Sequence, residues 1–227
     1  MNTTPSIVID PFDRSHLDAL VECVTAVWTT DNVIARALGV TDDDYRPVAR
    51  RICEQALADD LGLMLREAEA DRVVGFYTAI DLVDELIEEE NKRAGDNPRM
   101  SRWAALLAQG LQWYLDTYHR EQPPRRGEVV YFNIGGTIRE YRERRWIDRM
   151  TTIATSEWVF GRHYRRVLSI ATHPHSVHKA RTLPIPKHLH ELTFADQDEP
   201  DLRRITDPPA ALVGVFGDVS VSRPGPA

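Results

Sequence analysis

The sequence predicts an α/β protein in which helices pack on a mixed β-sheet. Short apolar runs of β-type residues alternate with amphipathic helical stretches along the chain. The hydrophobic fraction of 42% and the charged fraction of 28% are ordinary for a globular domain. A strand at residues 127–134 is followed by a helical stretch and a second strand at 165–171. Such a strand–helix–strand unit makes its two strands parallel, so the sheet is expected to contain parallel and antiparallel pairs.

The N-terminal third is predicted to contain one strand, two helices and a hairpin. The helices have apolar residues at helical spacing, and the hairpin joins two β-type runs through a polar turn. The predicted elements are, in order, a strand at 6–9, helices at 17–28 and 45–57, and strands at 61–67 and 72–80.

Residues 81–126 form an insertion that is too long for a simple loop without secondary structure. Its first half, residues 81–90, is strongly acidic. Its second half carries an apolar helical stripe behind Ser101, which is expected to cap the helix. The stripe consists of Trp103, Leu106, Leu107, Leu111, Tyr114 and Tyr118. We expect one or two helices, which cover a binding pocket, make a dimer contact or simply pack on the sheet.

The C-terminal third continues the alternation. An amphipathic helix follows the 127–134 strand, with a stripe of Met150, Ile153, Ala154 and Trp158. The remaining predicted elements are a strand at 165–171, a short helix at 175–183, and strands at 188–194 and 211–219. These elements predict a single domain over residues 1–219, followed by a flexible tail at 220–227.

The segment after the 127–134 strand is typical of an anion-binding site. Gly135-Gly136-Thr137 predicts a turn, and an arginine-rich loop from Arg142 to Ile147 leads into the helix. A helix start has unpaired backbone N–H groups and a partial positive charge, so a diphosphate is stabilised there. Guanidinium groups add further attraction for phosphate. The alternative is a charged, solvated helix start without a ligand.

This segment resembles the cofactor motif of the GNAT acyltransferase superfamily, Arg/Gln-x-x-Gly-x-Gly/Ala, and Glu140-Tyr141-Arg142 matches its usual opening. Arg145 and Ile147 stand where the motif has Gly and Gly or Ala. The order of elements is also that of a GNAT-like fold with a helical insertion before the motif strand. The resemblance implies acetyl-CoA or another acyl-CoA as cofactor. It would be bound by Thr137, Ile138, Arg139, Arg142, Arg144, Arg145, Trp146 and Ile147.

The resemblance further implies transfer of an acyl group, most simply acetyl, to a primary amine of a small molecule. This reaction needs a base for the amine, a donor to the oxyanion and an acid for the thiolate. The family's late-helix tyrosine is absent, because no tyrosine follows Tyr164. His173 is the preferred replacement and His178 the alternative, since histidine exchanges protons near neutral pH.

Further candidate site residues are suggested by their chemical type alone, because their spacing in the sequence does not single any of them out. Glu128 is a candidate catalytic carboxylate at the start of the motif strand, and Tyr131 and Asn133 on that strand are candidates for the acceptor site. Asp81 and Glu85 in the insertion would attract a cationic amine. Two other functions stay open: a GNAT-like domain without acyl transfer that serves as a binding or partner module, and transfer from an acyl carrier protein. Hydrolysis or decarboxylation of a bound thioester is a minor alternative.

Composition excludes several classes of function. The net charge of −7 argues against general nucleic-acid binding, and no apolar run approaches the length of a membrane span. Without a signal-peptide pattern, and with Cys23 and Cys53 at apolar helical positions, we expect a cytoplasmic protein whose thiols are reduced. A homodimer is conceivable.

Five histidines lie close together in the sequence: His173, His175, His178, His188 and His190. Two imidazoles in a His-x-His pair would share one face of a strand and could hold a metal. Pro174 disturbs the first pair, no cysteine is near, and the spacing fits no known ligand set. We therefore expect no metal site.

Overall fold

The computed structural model describes residues 5–86 and 97–218, except the side chains of residues 143 and 144. Its centre is a seven-stranded mixed sheet with the order β1-β2-β3-β4-β5-β7-β6. Among the described strands, only β4 and β5 pair in parallel, and all other neighbours are antiparallel. The strands are β1 Ile7–Pro11, β2 Gly62–Glu67, β3 Arg72–Asp81, β4 Val129–Thr137, β5 Arg166–Ala171, β6 Lys187–Thr193 and β7 Ala210–Gly217. The predicted mixed α/β class is confirmed.

Six α-helices can be numbered in the described part of the chain. They are α1 Leu17–Asp31, α2 Val33–Leu38, α3 Asp42–Ala58, α4 Pro98–Tyr118, α5 Trp146–Ala154 and α6 Pro174–Thr182. A π-helical turn, Thr155–Phe160, continues α5. Helix α2 was not predicted; it is six residues long, with Asn32 as its N-cap and Gly39 in the left-handed conformation at its end. No helix in the described ranges is long and apolar enough to cross a membrane.

The helices contribute to three buried clusters, the smallest of which contains Val177 and Ala180 of α6. Helices α1 to α4 contribute to the larger of the other two, which also contains Tyr131 of β4 and Leu168 of β5. Helix α5 and its π-helical continuation contribute Met150, Ala154 and Trp158 to the second cluster, with Val130 of β4. Neighbouring residues of β4 therefore face different clusters, as the two-residue period of a strand requires. The sheet is buried between helical layers at its centre.

The insertion helix packs on the sheet through its predicted stripe, since Trp103, Leu111 and Tyr114 belong to the larger cluster. Ser101 is not its cap. The helix begins at Pro98, and the side chain of Asn97 accepts hydrogen bonds from the amides of Arg99 and Met100. Proline is favoured in the first turn because it needs no N–H partner there. Residues 87–96, which include the last four residues of the acidic half, and the predicted tail at 220–227 lie outside the described residues.

The turn predicted at Gly135-Gly136-Thr137 is wrong, because β4 continues through these residues and pairs with β3 up to Thr137. The glycines have a packing role instead. A Cβ at Gly135 would lie 2.4 Å from the Tyr77 ring, and one at Gly136 would lie 2.4 Å from Cγ1 of Val27 on α1. Only glycine permits this close approach of backbone and neighbouring side chain.

Candidate functional site

Strands β4 and β5 diverge in the middle of the sheet. They pair from Val129 with Arg166 to Phe132 with Ser169, whereas β4 continues to Thr137 beside β3. A bulge lies where the pairing ends, since Thr78 pairs with Ile134 and Ala79 with Phe132, which leaves Asn133 as the additional residue. Beyond this point, no strand of the described chain pairs with the β5 side of β4. The sheet therefore opens next to Asn133.

A cleft of about 230 Å³ lies beside this opening. The lining comes from α3, the end of β3, the helical residues 82–86 and the β4 bulge. The lining residues are Val48, Arg51, Ile52, Glu54, Gln55, Ala79, Ile80, Glu85 and Asn133. Two of the predicted acceptor-site residues, Glu85 and Asn133, are thus brought together. Glu85 is only 4% exposed, so its carboxylate lies at the inner wall of the cleft.

Three polar residues of the cleft were not predicted: Arg51, Glu54 and Gln55, all on α3. Their sequence signal is that of an ordinary solvated helix face, and Arg51 and Glu54 are indeed exposed. Their place at a cleft depends on how α3 is set against β3 and residues 82–86. The sequence pattern alone carries no such information.

The other two predicted acceptor-site residues lie elsewhere. The Asp81 carboxylate is 4% exposed and accepts hydrogen bonds from the amides of Gly127 (2.6 Å) and Val83 (2.9 Å). It therefore ties the end of β3 to the start of the β4 segment. Tyr131 is 2% exposed within the larger buried cluster. Neither residue is part of the cleft lining.

Glu128 lies immediately before β4, at the end of the strand opposite to the arginine-rich loop. Its carboxylate accepts a hydrogen bond from the Arg125 amide (3.2 Å) and lies 3.6 Å from the Arg166 guanidinium. Thr137 is the ninth residue after Glu128, which corresponds to about 30 Å along an extended strand. The structure thus does not bring Glu128 together with the loop, and its contacts are those of a residue that fixes the start of the strand.

The loop after β4 forms a 3₁₀ turn, Arg139–Arg144, and Arg145 then adopts the left-handed conformation with φ 55° and ψ 28° before α5 begins. This is the residue that stands at the motif's glycine position. Glycine takes this conformation without a penalty, whereas arginine does so at a cost. The Arg145 side chain is 84% exposed and its Nε lies 3.1 Å from Asp148. The chain therefore keeps a glycine-type backbone despite the arginine.

The start of α5 has no side-chain hydrogen-bond cap among the described residues. Its first amides are consequently suited to an anion. The Trp146 indole adds a buried Nε1 without a hydrogen-bond partner in the described chain, and the Arg149 guanidinium lies 4.8 Å from the Trp146 ring centre. An unsatisfied donor beside an uncapped helix start and a basic side chain fits a site for a phosphorylated ligand.

The remaining predicted cofactor residues differ in exposure. Arg139 is exposed, Thr137 is 5% exposed at the end of β4, and Ile138 and Ile147 are half-buried against the second cluster. The side chain of Arg144 lies outside the described part. Arg142 forms an ion pair with Asp31, the last residue of α1. This long-range pairing has no signal in the sequence.

His173 follows β5 and is the N-cap of α6, where its Nδ1 accepts a hydrogen bond from the His175 amide (3.2 Å). The residue is exposed as a whole, yet the pKa of its imidazole is lowered, first by loss of water around the ring. The Asp31 carboxylate raises this pKa, and the charges of His175, Arg142 and Arg36 lower it. His178, the alternative, is exposed further along α6.

The corner between α1 and α2 links both sides of the opening. Asp31 pairs with Arg142 in the loop after β4, and the next residue, Asn32, donates a hydrogen bond from Nδ2 to Thr172 Oγ1 (3.3 Å) at the end of β5. Asn32 also caps α2, which fixes the direction of the corner. His173 is thereby placed near the arginine-rich loop.

The other histidines have structural contacts. His188 and His190 share one face of β6, as the His-x-His spacing indicates, and both rings pack on Trp113 of α4. His188 Nδ1 lies 2.7 Å from the Tyr118 hydroxyl. Within residues 5–86 and 97–218, no group of three or more metal-ligating side chains assembles.

Neither a family model nor a curated protein matches the sequence. Many solved structures resemble the fold, among them the following three. A mosquito arylalkylamine N-acetyltransferase like 5b has a TM-score of 0.74 and 14% identity over 95% of this chain and 100% of its own. A Drosophila melanogaster polyamine N-acetyltransferase, which forms N-acetylagmatine, has a TM-score of 0.67 and 16% identity over 93% and 98%. The C-terminal condensation domain of Ebony, in complex with beta-alanyl-dopamine, has a TM-score of 0.66 and 14% identity over 93% and 99%. The chain therefore has the fold of the GNAT acetyltransferases.

Proposed function

We propose that this protein is an acyl-CoA-dependent N-acyltransferase, most simply an N-acetyltransferase, that acts on the primary amine of a small molecule. The observation that carries the proposal is the opening between β4 and β5 next to a cleft that holds the Glu85 carboxylate. At such an opening, the thioester of the donor and the amine of the acceptor can come into contact next to Asn133. Two of the structures of similar fold support an amine acceptor, because they are named as N-acetyltransferases of arylalkylamines and of polyamines.

The donor side would be held by the loop and the open strand edge. The uncapped start of α5 and the neighbouring Arg149 and Trp146 Nε1 suit the diphosphate of an acyl-CoA. The edge of β4 beyond Asn133 faces the opening without a partner strand in the described chain. The amide groups of the donor's pantetheine arm can pair with such an edge as an added strand would.

The acceptor side would be the cleft. A carboxylate at its inner wall attracts an ammonium group strongly, because screening by water is weak there. Val48, Ile52 and Ile80 provide apolar walls for the carbon skeleton, and Asn133 offers an amide at the opening. A cleft of about 230 Å³ suits a compact amine rather than a protein segment.

The thioester supplies the acyl group. The amine nitrogen must be deprotonated before its lone pair forms the new C–N bond, and the cleft carboxylates or a water held by Asn133 can accept that proton. As the C–S bond breaks, the thiolate takes a proton, and His173 as imidazolium is the candidate donor. The lowered pKa of His173 favours release of this proton.

The second candidate is a GNAT-like binding or partner module without acyl transfer. Two observations favour it. No tyrosine follows Tyr164, so the late-helix acid of the family is missing, and Arg142 is already paired with Asp31. A module of this kind would bind CoA or an amine but release no thiol.

Calorimetric titration with acetyl-CoA and CoA tests the donor site. We expect binding in the wild type and at least about tenfold weaker binding in Arg142→Ala, because a charge-assisted contact to phosphate is lost. Arg204→Ala removes an equally charged residue that is 80% exposed and pairs only with nearby Asp201 in the described contacts, so it should bind like the wild type. If neither ligand binds, the acyl-CoA proposal fails, and a phosphopantetheine carrier protein becomes the donor to test.

Thiol release with a panel of amines tests the acceptor site. Glu85→Gln should raise KM for cationic amines, whereas Glu54→Gln, at the exposed rim, should have the smaller effect. Donor binding without thiol release from any amine would favour the binding module.

A further inference from the structure

Asp31 holds the arginine that the donor phosphates would need. It is the last residue of α1, and its carboxylate pairs with the guanidinium of Arg142 in the loop after β4. The Arg142 side chain is 39% exposed and that of Asp31 22% exposed. The pair is therefore partly solvated and can open without leaving a buried charge uncompensated.

The same carboxylate acts on His173. The charged groups around this imidazole come from four elements: Asp31 on α1, Arg36 on α2, Arg142 in the loop and His175 on α6. Among these groups of the described part of the chain, Asp31 is the one negative charge. The Asn32–Thr172 hydrogen bond holds the α1–α2 corner against the end of β5, so Asp31 stays near His173 when Arg142 moves.

We propose that Asp31 is a positioning residue that competes with the anionic donor for Arg142 and, once displaced, draws a proton onto His173. This inference rests on the proposed function. Without donor, the Asp31–Arg142 pair is closed. With donor, Arg142 turns to the phosphates, and the Asp31 carboxylate is left facing His173.

The charges around His173 determine in which direction donor binding changes the pKa of its imidazole. Arg142 lowers the pKa of His173, and pairing with phosphate neutralises that influence. Asp31 raises the pKa of His173, and its influence grows when Arg142 no longer compensates it. Both changes raise the pKa in the donor complex. Donor binding therefore takes up a proton, and His173 becomes the imidazolium that the departing thiolate needs.

Calorimetry with CoA measures both parts of the proposal. Asp31→Asn should bind CoA about three- to tenfold more tightly than the wild type, because the competing carboxylate is gone. In protein that already carries Arg142→Ala, Asp31→Asn should not increase the CoA affinity. Glu140→Gln removes one negative charge from the exposed part of the same loop and should leave the affinity unchanged.

Titrations in two buffers of different ionisation enthalpy count the protons taken up. Near pH 6, the wild type should take up more protons per CoA than Asp31→Asn, and Asp31→Asn more than His173→Gln, because the titrating phosphomonoester of CoA contributes alike in all three proteins. A merely structural role of Asp31 would not move this count.

The outcomes separate the two proposals. If no variant binds CoA, the acyl-CoA proposal fails and the role of Asp31 with it. If the wild type binds CoA but Asp31→Asn binds it no more tightly, the proposed competition for Arg142 is wrong, while the acyl-CoA proposal stands. The same holds if Glu140→Gln raises the CoA affinity as much as Asp31→Asn does. If His173→Gln takes up as many protons per CoA as the wild type, the coupling to His173 is overturned.

Discussion

The Thr78 hydroxyl donates a hydrogen bond to Asn133 Oδ1 across a distance of 2.6 Å, and it also lies 3.2 Å from the Ile134 carbonyl. Thr78 is on β3 and fully buried, whereas Asn133 is the additional residue of the β4 bulge. The hydroxyl therefore fixes both the backbone and the side chain of the bulge from inside the sheet. This contact sets the direction of Asn133 at the cleft.

Thr78→Val should lower the free energy of unfolding by about 1–3 kcal/mol, because the half-buried acceptors at the bulge lose their donor and the new methyl group faces them. Denaturant unfolding measures this change. Thr25→Val is the matched control: Thr25 is equally buried, but its Oγ1 has no hydrogen-bond partner in the described chain. That variant should be as stable as the wild type or more so. Equal losses in both variants would show that the hydroxyl does not hold the bulge.

Arg145→Gly should stabilise the protein by about 0.5–1 kcal/mol, because glycine relieves the cost of a left-handed residue at φ 55°. Since the backbone already has the glycine-type geometry, CoA affinity should change by less than about threefold. Thermal unfolding and calorimetry check the two statements. Arg145→Ala loses the same pair with Asp148 but keeps the strain, so it should give no stabilisation. A stabilised alanine variant would assign the gain to the side chain instead.

The fold was largely predictable from the sequence, because strands and long helices carry a strong period of burial. Helix α2 was missed because six residues are too short for a periodic pattern, although Asn32 and Gly39 are its cap signals. The Gly135-Gly136 pair was misinterpreted because glycine in a turn and glycine under a packed side chain have the same sequence signature. The difference lies in Tyr77 and Val27, which are distant in sequence.

The candidate site was predictable only where a residue type itself suggests a role. Glu85 and Asn133, two of the predicted acceptor-site residues, line the cleft, whereas Arg51 and Glu54 on α3 have the same pattern as any solvated helix face. The Asp31–Arg142 pair joins two distant segments, and surface charges outnumber specific pairs in any sequence. Such contacts depend on tertiary packing.

Gly136→Ala should destabilise the protein by about 1–3 kcal/mol, because the new Cβ would lie 2.4 Å from Val27 Cγ1 in a buried part of β4. Val27→Ala removes that methyl group and should cost stability by itself through lost packing. The double variant should recover part of the loss of Gly136→Ala. A cycle of denaturant unfolding on the four proteins measures this coupling. Strictly additive losses would mean that Val27 is not the obstacle.

The Asp44 carboxylate makes the free energy of unfolding depend on pH in the acidic range. Its carboxylate accepts hydrogen bonds from the Thr41 amide (2.9 Å), Asn97 Nδ2 (2.7 Å) and Arg99 Nη1 (3.0 Å), which caps α3 and ties it to the start of α4. These bonds, the Thr41 amide first, hold the pKa of Asp44 well below its usual range. A lowered pKa contributes stability above the unfolded-state pKa of about 3.9, and this contribution is lost as the pH falls below that value.

Asp44→Asn should therefore lower the free energy of unfolding by about 1–2 kcal/mol at pH 7, and the difference from the wild type should shrink below about pH 4. Denaturant unfolding at pH 7 and pH 3 tests this. Asp43→Asn makes the same change at the exposed neighbouring position and should stay within about 0.5 kcal/mol of the wild type at both pH values. A deficit of Asp44→Asn that is equally large at pH 3 would contradict the expectation, because protonation of the Asp44 carboxyl in the unfolded wild type should by then have removed part of the wild-type advantage.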